Sequence, residues 1–161
     1  PAAKAGKIVS ANVKYAAGPA AVALSHQEEK VNGNAVTTKF TQLNGSWDFG
    51  VAKLLGAYGQ VKNFSATLAG VTANVDKSRE YQLGVDVPVG PALTLSGGVA
   101  RSKITLAAAG GEVKSTGFGL AAKYELSKRT FLYSGLQLSK NKLASNEVKT
   151  DTYAVGLQHK F

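Results

Sequence analysis

Apolar and polar residues alternate along this chain with a period of two, the spacing at which residues i, i+2 and i+4 share one face of a β-strand. From Tyr81 to Val89, the positions Tyr81, Leu83, Val85, Val87 and Val89 are apolar or aromatic, with Gln82, Gly84, Asp86 and Pro88 between them. From Gly117 to Leu126, Phe118, Leu120, Ala122, Tyr124 and Leu126 oppose Gly117, Gly119, Ala121, Lys123 and Glu125. Val9, Ala11, Val13 and Tyr15 oppose Ser10, Asn12 and Lys14, while Leu43, Gly45, Trp47 and Phe49 oppose Gln42, Asn44, Ser46 and Asp48. The last stretch sets Tyr153, Val155, Leu157, His159 and Phe161 against Thr152, Ala154, Gly156, Gln158 and Lys160. Four further runs alternate less cleanly: Ala20 to Gln27, Lys53 to Lys62, Ala92 to Ser102 and Thr130 to Ser139. In these the more polar opposite face groups Leu93, Leu95, Gly97 and Val99, and likewise Leu132, Ser134, Leu136 and Leu138. Helical periodicity is absent, and β-branched and aromatic residues occupy the alternating sites, so the pattern predicts an all-β chain of nine antiparallel strands.

The connections between these runs alternate in length. Ala17-Gly18-Pro19, Gly50-Val51-Ala52, Gly90-Pro91 and Ser127-Lys128-Arg129 read as tight turns. Glu28 to Thr37, Asn63 to Ser78, Lys103 to Ser115 and Lys140 to Thr150 read as long connections rich in Asn, Gly, Ala and Lys. A soluble sandwich has no reason to gather its long loops at one end, whereas an outer-membrane barrel has short periplasmic turns and longer outside loops. Strands of about 10 residues at about 3.3 Å each, tilted near 45°, span roughly 25 Å, the height of the lipid-facing apolar band. The reading is therefore a transmembrane antiparallel β-barrel, with residues 1–161 forming part of a single barrel domain.

In that setting the apolar face meets lipid. A Lys there costs about 2 to 4 kcal/mol at mid-depth, so Lys14, Lys123 and Lys160 are expected to face the lumen. Tyr15, Trp47, Phe49, Tyr124 and Phe161 fall near the short turns, where a periplasmic aromatic girdle belongs.

Composition narrows the chemistry. The 161 residues contain no Cys, which leaves no thiol or disulfide chemistry, and no run of about 18 apolar residues that would make a transmembrane helix. The chain opens on Pro1-Ala2-Ala3-Lys4 without Met or a leader, as a processed or clipped product does. Nineteen basic against ten acidic side chains give a net charge of +9, which favours anionic partners. If Lys14, Lys53, Arg101, Lys123 and Lys160 line a bore, they concentrate small anions. Arg101 is the exception by parity, since grouping Leu93 with Val99 turns it outward. The plainer reading places Lys103, Lys114, Lys140, Lys142 and Lys149 on outside loops.

The final Tyr153-x-Val155-x-Leu157-x-His159-x-Phe161 resembles the C-terminal strand of bacterial outer-membrane proteins, which the barrel assembly machinery recognises. Ala122-Lys123-Tyr124-Glu125-Leu126-Ser127-Lys128-Arg129-Thr130-Phe131-Leu132-Tyr133, followed by Val155 to Phe161, is similar to the end of Gram-negative general diffusion porins of the neisserial, Burkholderia and Comamonas type. These two segments carry the specific likeness; elsewhere it is a likeness of hairpin pattern. The resemblance implies 16-stranded trimeric barrels, with this chain as strands 8 to 16 and an N-terminal half on another chain. Nine strands do not close alone, because an antiparallel barrel in one chain takes an even number. The competing expectation is a small eight-stranded barrel in which a weak run such as Ala20 to Gln27 is not a span.

Enzyme chemistry has no foothold. His26 and His159 lie in different strands with no Cys or carboxylate pair at ligand spacing, so neither a metal nor a cofactor is expected. Glu28-Glu29 beside Lys30 reads as a solvated charge cluster, and Gly97-Gly98 and Gly110-Gly111 precede no helix that could hold phosphate. The expected function is an outer-membrane channel for passive diffusion of small hydrophilic solutes, selective for anions. The expected partners are the N-terminal half, a homotrimer, outer-membrane lipid and lipopolysaccharide, the assembly machinery and small anionic solutes. The alternative is a non-conducting structural or adhesive barrel. A nucleic-acid-binding β-protein is disfavoured, because its aromatics would sit with clustered Arg and not with Leu and Val.

Overall fold

A computed structural model describes residues 6–30, 36–68, 71–107, 111–143 and 146–161. It contains β1 (Lys7–Ala17), β2 (Ala20–Lys30), β3 (Thr37–Asp48), β4 (Lys53–Leu68), β5 (Val71–Val89), β6 (Leu93–Leu106), β7 (Glu112–Ser127), β8 (Thr130–Leu143) and β9 (Asn146–His159). They form one nine-stranded sheet in sequential order, each strand antiparallel to the next. The eight-stranded alternative falls here, since β2 pairs along its full length with β1 and with β3.

All four predicted tight turns are present, and backbone chemistry explains three of them. Gly18, Gly50 and Gly90 have φ of 53°, 83° and 75°, the left-handed region that costs a side chain energy and glycine little. Asp48 Oδ1 accepts the Gly50 N–H at 2.8 Å, fixing the β3–β4 turn. In the fourth turn Ser127 Oγ accepts the Arg129 N–H at 3.2 Å.

The predicted long connections need correction, because most of their residues are strand. β4 runs to Leu68 and β5 starts at Val71, β6 reaches Leu106 and β7 starts at Glu112, and β8 reaches Leu143 with β9 starting at Asn146. Alternation is a signature of setting an apolar face against a polar one, and above the apolar band the outward face turns polar while Val75 and Val113 stand among the upper residues, so the contrast is lost. The backbone ladder needs no such asymmetry and continues where the pattern fades.

Among the described residues the buried apolar side chains are Val75 and Val113, at 2% and 6% exposure, whereas Val13 and Val155 are 70% and 84% exposed. A single sheet with no second layer leaves its apolar face bare, and an apolar face this large calls for lipid or another surface to cover it. The register shows how the two faces separate. One rung of directly opposed residues runs Lys14, Ala23, Asn44, Ala57, Gln82, Ala100, Gly117, Ser139, Thr150 across all nine strands. The neighbouring rung of opposite parity runs Tyr15, Val22, Gly45, Gly56, Leu83, Val99, Phe118, Leu138, Asp151.

The sheet is also sheared. Ala17, the last residue of β1, is level through the rungs with Tyr153, six residues (159 − 153) before the end of β9. Six residues over eight strand spacings is a strand tilt of roughly 30°, close to that of membrane barrels.

Candidate functional site

Side chains from every strand line one trough of about 840 Å³, so the sheet curls with its hydrated face concave. On the concave parity the lining is mostly small or polar, with Ala21, Ala23, Ala57, Gly84, Gly98, Ala100, Gly117, Gly119, Ala121, Gly135 and Ala154 beside Asn44, Ser46, Gln82, Ser96, Gln137 and Thr152, and Leu55 as the large apolar exception; Val22, Leu83, Val99, Phe118, Leu120 and Leu136, of the opposite parity, also border it. Small side chains leave the volume open, and the amides and hydroxyls present bond along the wall. Asn12 Nδ2 donates to Ser25 Oγ at 2.6 Å, Gln42 Nε2 to Asn44 Oδ1 at 3.1 Å and Ser96 Oγ to Asp86 Oδ1 at 2.6 Å. Such a surface can hold water along its length.

Three of the five predicted lining cations share this face. Lys14 lies on the Ala23 and Asn44 rung. Lys53 is opposed by Asp48 and Asp86, and Lys123 Nζ lies 3.0 Å from Glu125 Oε1 and 5.7 Å from the centre of the Phe131 ring. Lys160 follows the end of β9, its N–H donating to the Arg129 carbonyl at 2.8 Å. Arg101 is a correction to the lining set: it is opposed by Tyr81 and Thr116 and alternates with Val99, which puts it on the apolar face. Parity is inherited along an unbroken strand, so grouping Val99 outward forces Arg101 outward too.

The five predicted aromatics gather near the short turns. Tyr15 is opposed by Val22, Trp47 by Ala20 and Leu54, and Tyr124 by Leu93 and Leu132, all on the apolar face. The Phe49 ring lies 6.3 Å from Trp47, and Phe161 meets His159 edge-on at 5.0 Å. A second aromatic pair, Tyr58 and Tyr81 at 5.1 Å, stands on the same face toward the other end. Sequence reasoning missed its role, although each of the two Tyr immediately precedes the first strongly polar residue of its face, Gln60 and Arg79.

Above the apolar residues, the outward face changes character on strand after strand. Val89, Val87, Val85, Leu83 and Tyr81 give way to Arg79 and Lys77, and Leu93, Leu95, Gly97 and Val99 give way to Arg101 and Lys103. Leu132, Ser134, Leu136 and Leu138 give way to Lys140 and Lys142, and Leu157, Val155 and Tyr153 to Asp151 and Lys149. The apolar stretches span seven to nine residues (93–99 and 81–89). At about 3.3 Å each and tilted, they make a band roughly 20 to 25 Å tall.

The outward face carries Lys7, Lys30, Lys39, Lys62, Lys77, Arg79, Arg101, Lys103, Lys114, Lys140, Lys142 and Lys149 against Glu28, Glu112, Glu147 and Asp151. The basic excess therefore sits at the rim of the outer surface and not in the trough. Lys103, Lys114, Lys140, Lys142 and Lys149 lie on strands, not on loops as the sequence suggested. Among the described residues, no group of three or more His, Cys, Asp or Glu could hold a metal ion.

The Gram-negative porin family matches the chain over residues 1–160. The chain is 30% identical over 182 residues to an outer membrane porin protein of Bordetella pertussis, covering 96% of this chain and 46% of that protein. It is 34% identical over 145 residues to outer membrane porin protein 32 of Delftia acidovorans, covering 87% of this chain and 38% of that one. It thus spans less than half the length of these relatives. Among solved structures, the anion-selective porin of Comamonas acidovorans superposes with a TM-score of 0.67 at 26% identity, over 96% of this chain and 49% of its own. OmpT of Vibrio cholerae superposes with a TM-score of 0.76 at 15% identity, over 94% and 49%, a likeness of fold. With its apolar band, its aromatics near the short turns and its trough, this chain belongs to the Gram-negative porin family and is an outer-membrane β-barrel protein.

Proposed function

We propose that this chain builds part of the wall of a water-filled channel through which small hydrophilic solutes diffuse passively, with a preference for anions. One observation carries the reading: β2 to β9 turn mostly Gly, Ala and short polar side chains, with Leu55, toward a common trough to which β1 adds Lys14, while most of the large exposed apolar residues form a band on the opposite face. A channel wall needs this division, and no catalytic step is part of the proposal. The anion preference is supported by the Comamonas relative's description as anion-selective and by Lys14 standing on the trough wall. Carboxylates Glu80 and Asp86 share that face, so the field of this portion is mixed.

Closure requires further strands. The strand order leaves β1 and β9 at opposite edges, and an edge in lipid strands backbone groups at several kcal/mol each. We propose that an N-terminal half supplies the missing strands and that the closed barrel assembles as a homotrimer. We propose further that β9 with the following Phe161 is a segment the barrel assembly machinery reads, and that lipopolysaccharide is a neighbour of the finished barrel.

The test is conductance of the complete barrel in planar bilayers, with reversal potential under a KCl gradient. Stepwise ohmic conductance with a potential on the anion side is expected. Cation-side reversal removes the anion preference, and absence of conductance favours the structural or adhesive barrel. That second reading requires a plugged lumen, which the small trough residues disfavour.

A further inference from the structure

A second cavity, of about 610 Å³, opens in the concave face above the trough, over β1 to β5. Its volume falls in the range of small-molecule sites. Two rungs of directly opposed residues build it. The upper runs Ser10, Gln27, Phe40, Val61 and Ser78, and the lower Asn12, Ser25, Gln42, Gly59 and Glu80. On β1 they stand four and two residues (14 − 10 and 14 − 12) from Lys14, toward the end opposite the short turns. An even step along a strand keeps the face, so both rungs share the parity of Lys14 and turn toward the channel.

The two rungs differ in chemistry. Phe40 and Val61 stand directly opposite each other and make an apolar shelf. Below the shelf Gly59 has no side chain, and the gap it leaves is flanked by Gln42 on one strand and Glu80 on the other. Glu80 is opposed by Gly59 and Ser102, so no cation stands beside it on its rung. Among the described lining residues it is the sole carboxylate, and none is Lys or Arg. His26 borders the cavity but is held by Thr41 at 2.9 Å and by Glu28 at 3.7 Å. A lone carboxylate repels anions, so the cavity lies off the path that Lys14 favours. An ammonium group only donates, and it would leave the amide N–H groups of Gln27, Gln42 and Gln82 facing another donor. A sugar hydroxyl both donates and accepts. Adjacent hydroxyls can donate to the two Glu80 oxygens and accept from the amides, while the C–H face of the ring lies on Phe40 and Val61.

We propose that the cavity beneath Phe40, between Gln42 and Glu80, is a subsite that binds neutral sugars on their way through the channel. It rests on the channel reading and names a solute class that this part of the wall retains. Binding there is weak enough for release, as passage requires. Neither Phe40 nor Glu80 falls within a cleanly alternating run of the sequence, and only the pairing of β3, β4 and β5 brings both beside Gly59.

Gly59 offers a way to close the site. A Cβ built there has Glu80 Cβ as its nearest neighbour at 3.8 Å, an ordinary contact, so Gly59→Leu fills the gap without forcing the backbone. The experiment titrates the complete barrel in detergent micelles with sucrose by saturation-transfer NMR, and reads sucrose-dependent block of the current of the same preparation in planar bilayers. The parent is expected to bind saturably, Glu80→Gln to weaken binding by about tenfold, and Gly59→Leu to abolish it with thermal unfolding unchanged. Should Gly59→Leu fail to fold, Glu80→Gln, which keeps size and shape, decides alone. An unsaturable signal from the parent, equal binding by parent and Glu80→Gln, or binding that survives Gly59→Leu overturns the proposal. Choline bound as tightly as sucrose assigns the site to cations, and equal block by polyethylene glycol of matched size reduces the effect to bulk; either removes the sugar claim. A barrel that binds sucrose without conducting leaves the subsite standing and removes the channel, whereas a conducting barrel that does not bind it does the reverse.

Discussion

Tyr133 and Gly156 face each other across β8 and β9, and a Cβ added to Gly156 would lie 2.4 Å from Tyr133 Cζ and Oη. The ring lies over the bare glycine backbone, a pairing in which an aromatic covers what glycine leaves exposed. Gly156→Ala is expected to push the ring away and destabilise the complete barrel by about 1 kcal/mol. Adding Tyr133→Ala should remove most of that extra cost, and unequal shifts in a double-mutant cycle of thermal unfolding would show the coupling. A second pair of neighbours tests the faces. Leu83 and Gln82 are adjacent in β5 but point oppositely, Leu83 toward Val99 and Gln82 toward Ala100. Leu83→Lys is expected to cost about 2 to 4 kcal/mol at mid-band, and Gln82→Lys within about 0.5 kcal/mol. Equal effects in urea titrations of the lipid-embedded barrel would contradict the assignment of faces. Both positions were legible in the sequence, because period-two alternation assigns a residue's face from its neighbours alone. Tyr133 over Gly156 was not, because it depends on which residue of β9 stands opposite.

Among the strand pairs, β5 and β6 show how closely backbones approach. A Cβ on Gly98 would meet the Leu83 carbonyl oxygen at 3.1 Å and Gly84 Cα at 3.4 Å, both backbone atoms that cannot rotate aside. Gly98→Ala is therefore expected to destabilise by about 1 to 3 kcal/mol through strand separation, with faster amide exchange confined to β5 and β6. Uniform exchange across the sheet would argue against it. The nine strands and their short turns were readable in advance because each strand carries its own alternation and each turn its Gly, Pro or Ser. The upper halves of β4 to β9 were not. Residues such as Lys140, Lys142 and Lys149 read as loop because a polar run without alternation carries no period-two signal, although the ladder holds them in register.

For the molecule as a whole, the open edges and the charge layout decide behaviour. A chain presenting β1 and β9 unpaired is expected to conduct in bilayers only once further strands close the ring, and steady channels from the nine strands alone would overturn the half-barrel proposal. Lys14 is the predicted cation least offset on the trough wall, so Lys14→Glu should move the reversal potential of the closed barrel toward cations while leaving its folding unchanged. An unmoved potential would assign selectivity to strands outside this chain. The overall charge of +9 proved a poor guide to the channel, because most of it stands on the outward rim.

Face and number were written locally: period-two alternation assigns each side chain to lipid or water within a few residues, and it counted nine strands from the chain alone. Level and neighbourhood came from pairing. Whether Lys114 stands beside Lys142, or Tyr133 over Gly156, is settled by the cross-strand register between segments far apart in the chain, and the tilt of the sheet then sets each residue's depth. The basic rim exists only through that alignment, since no single strand holds more than a few of its cations.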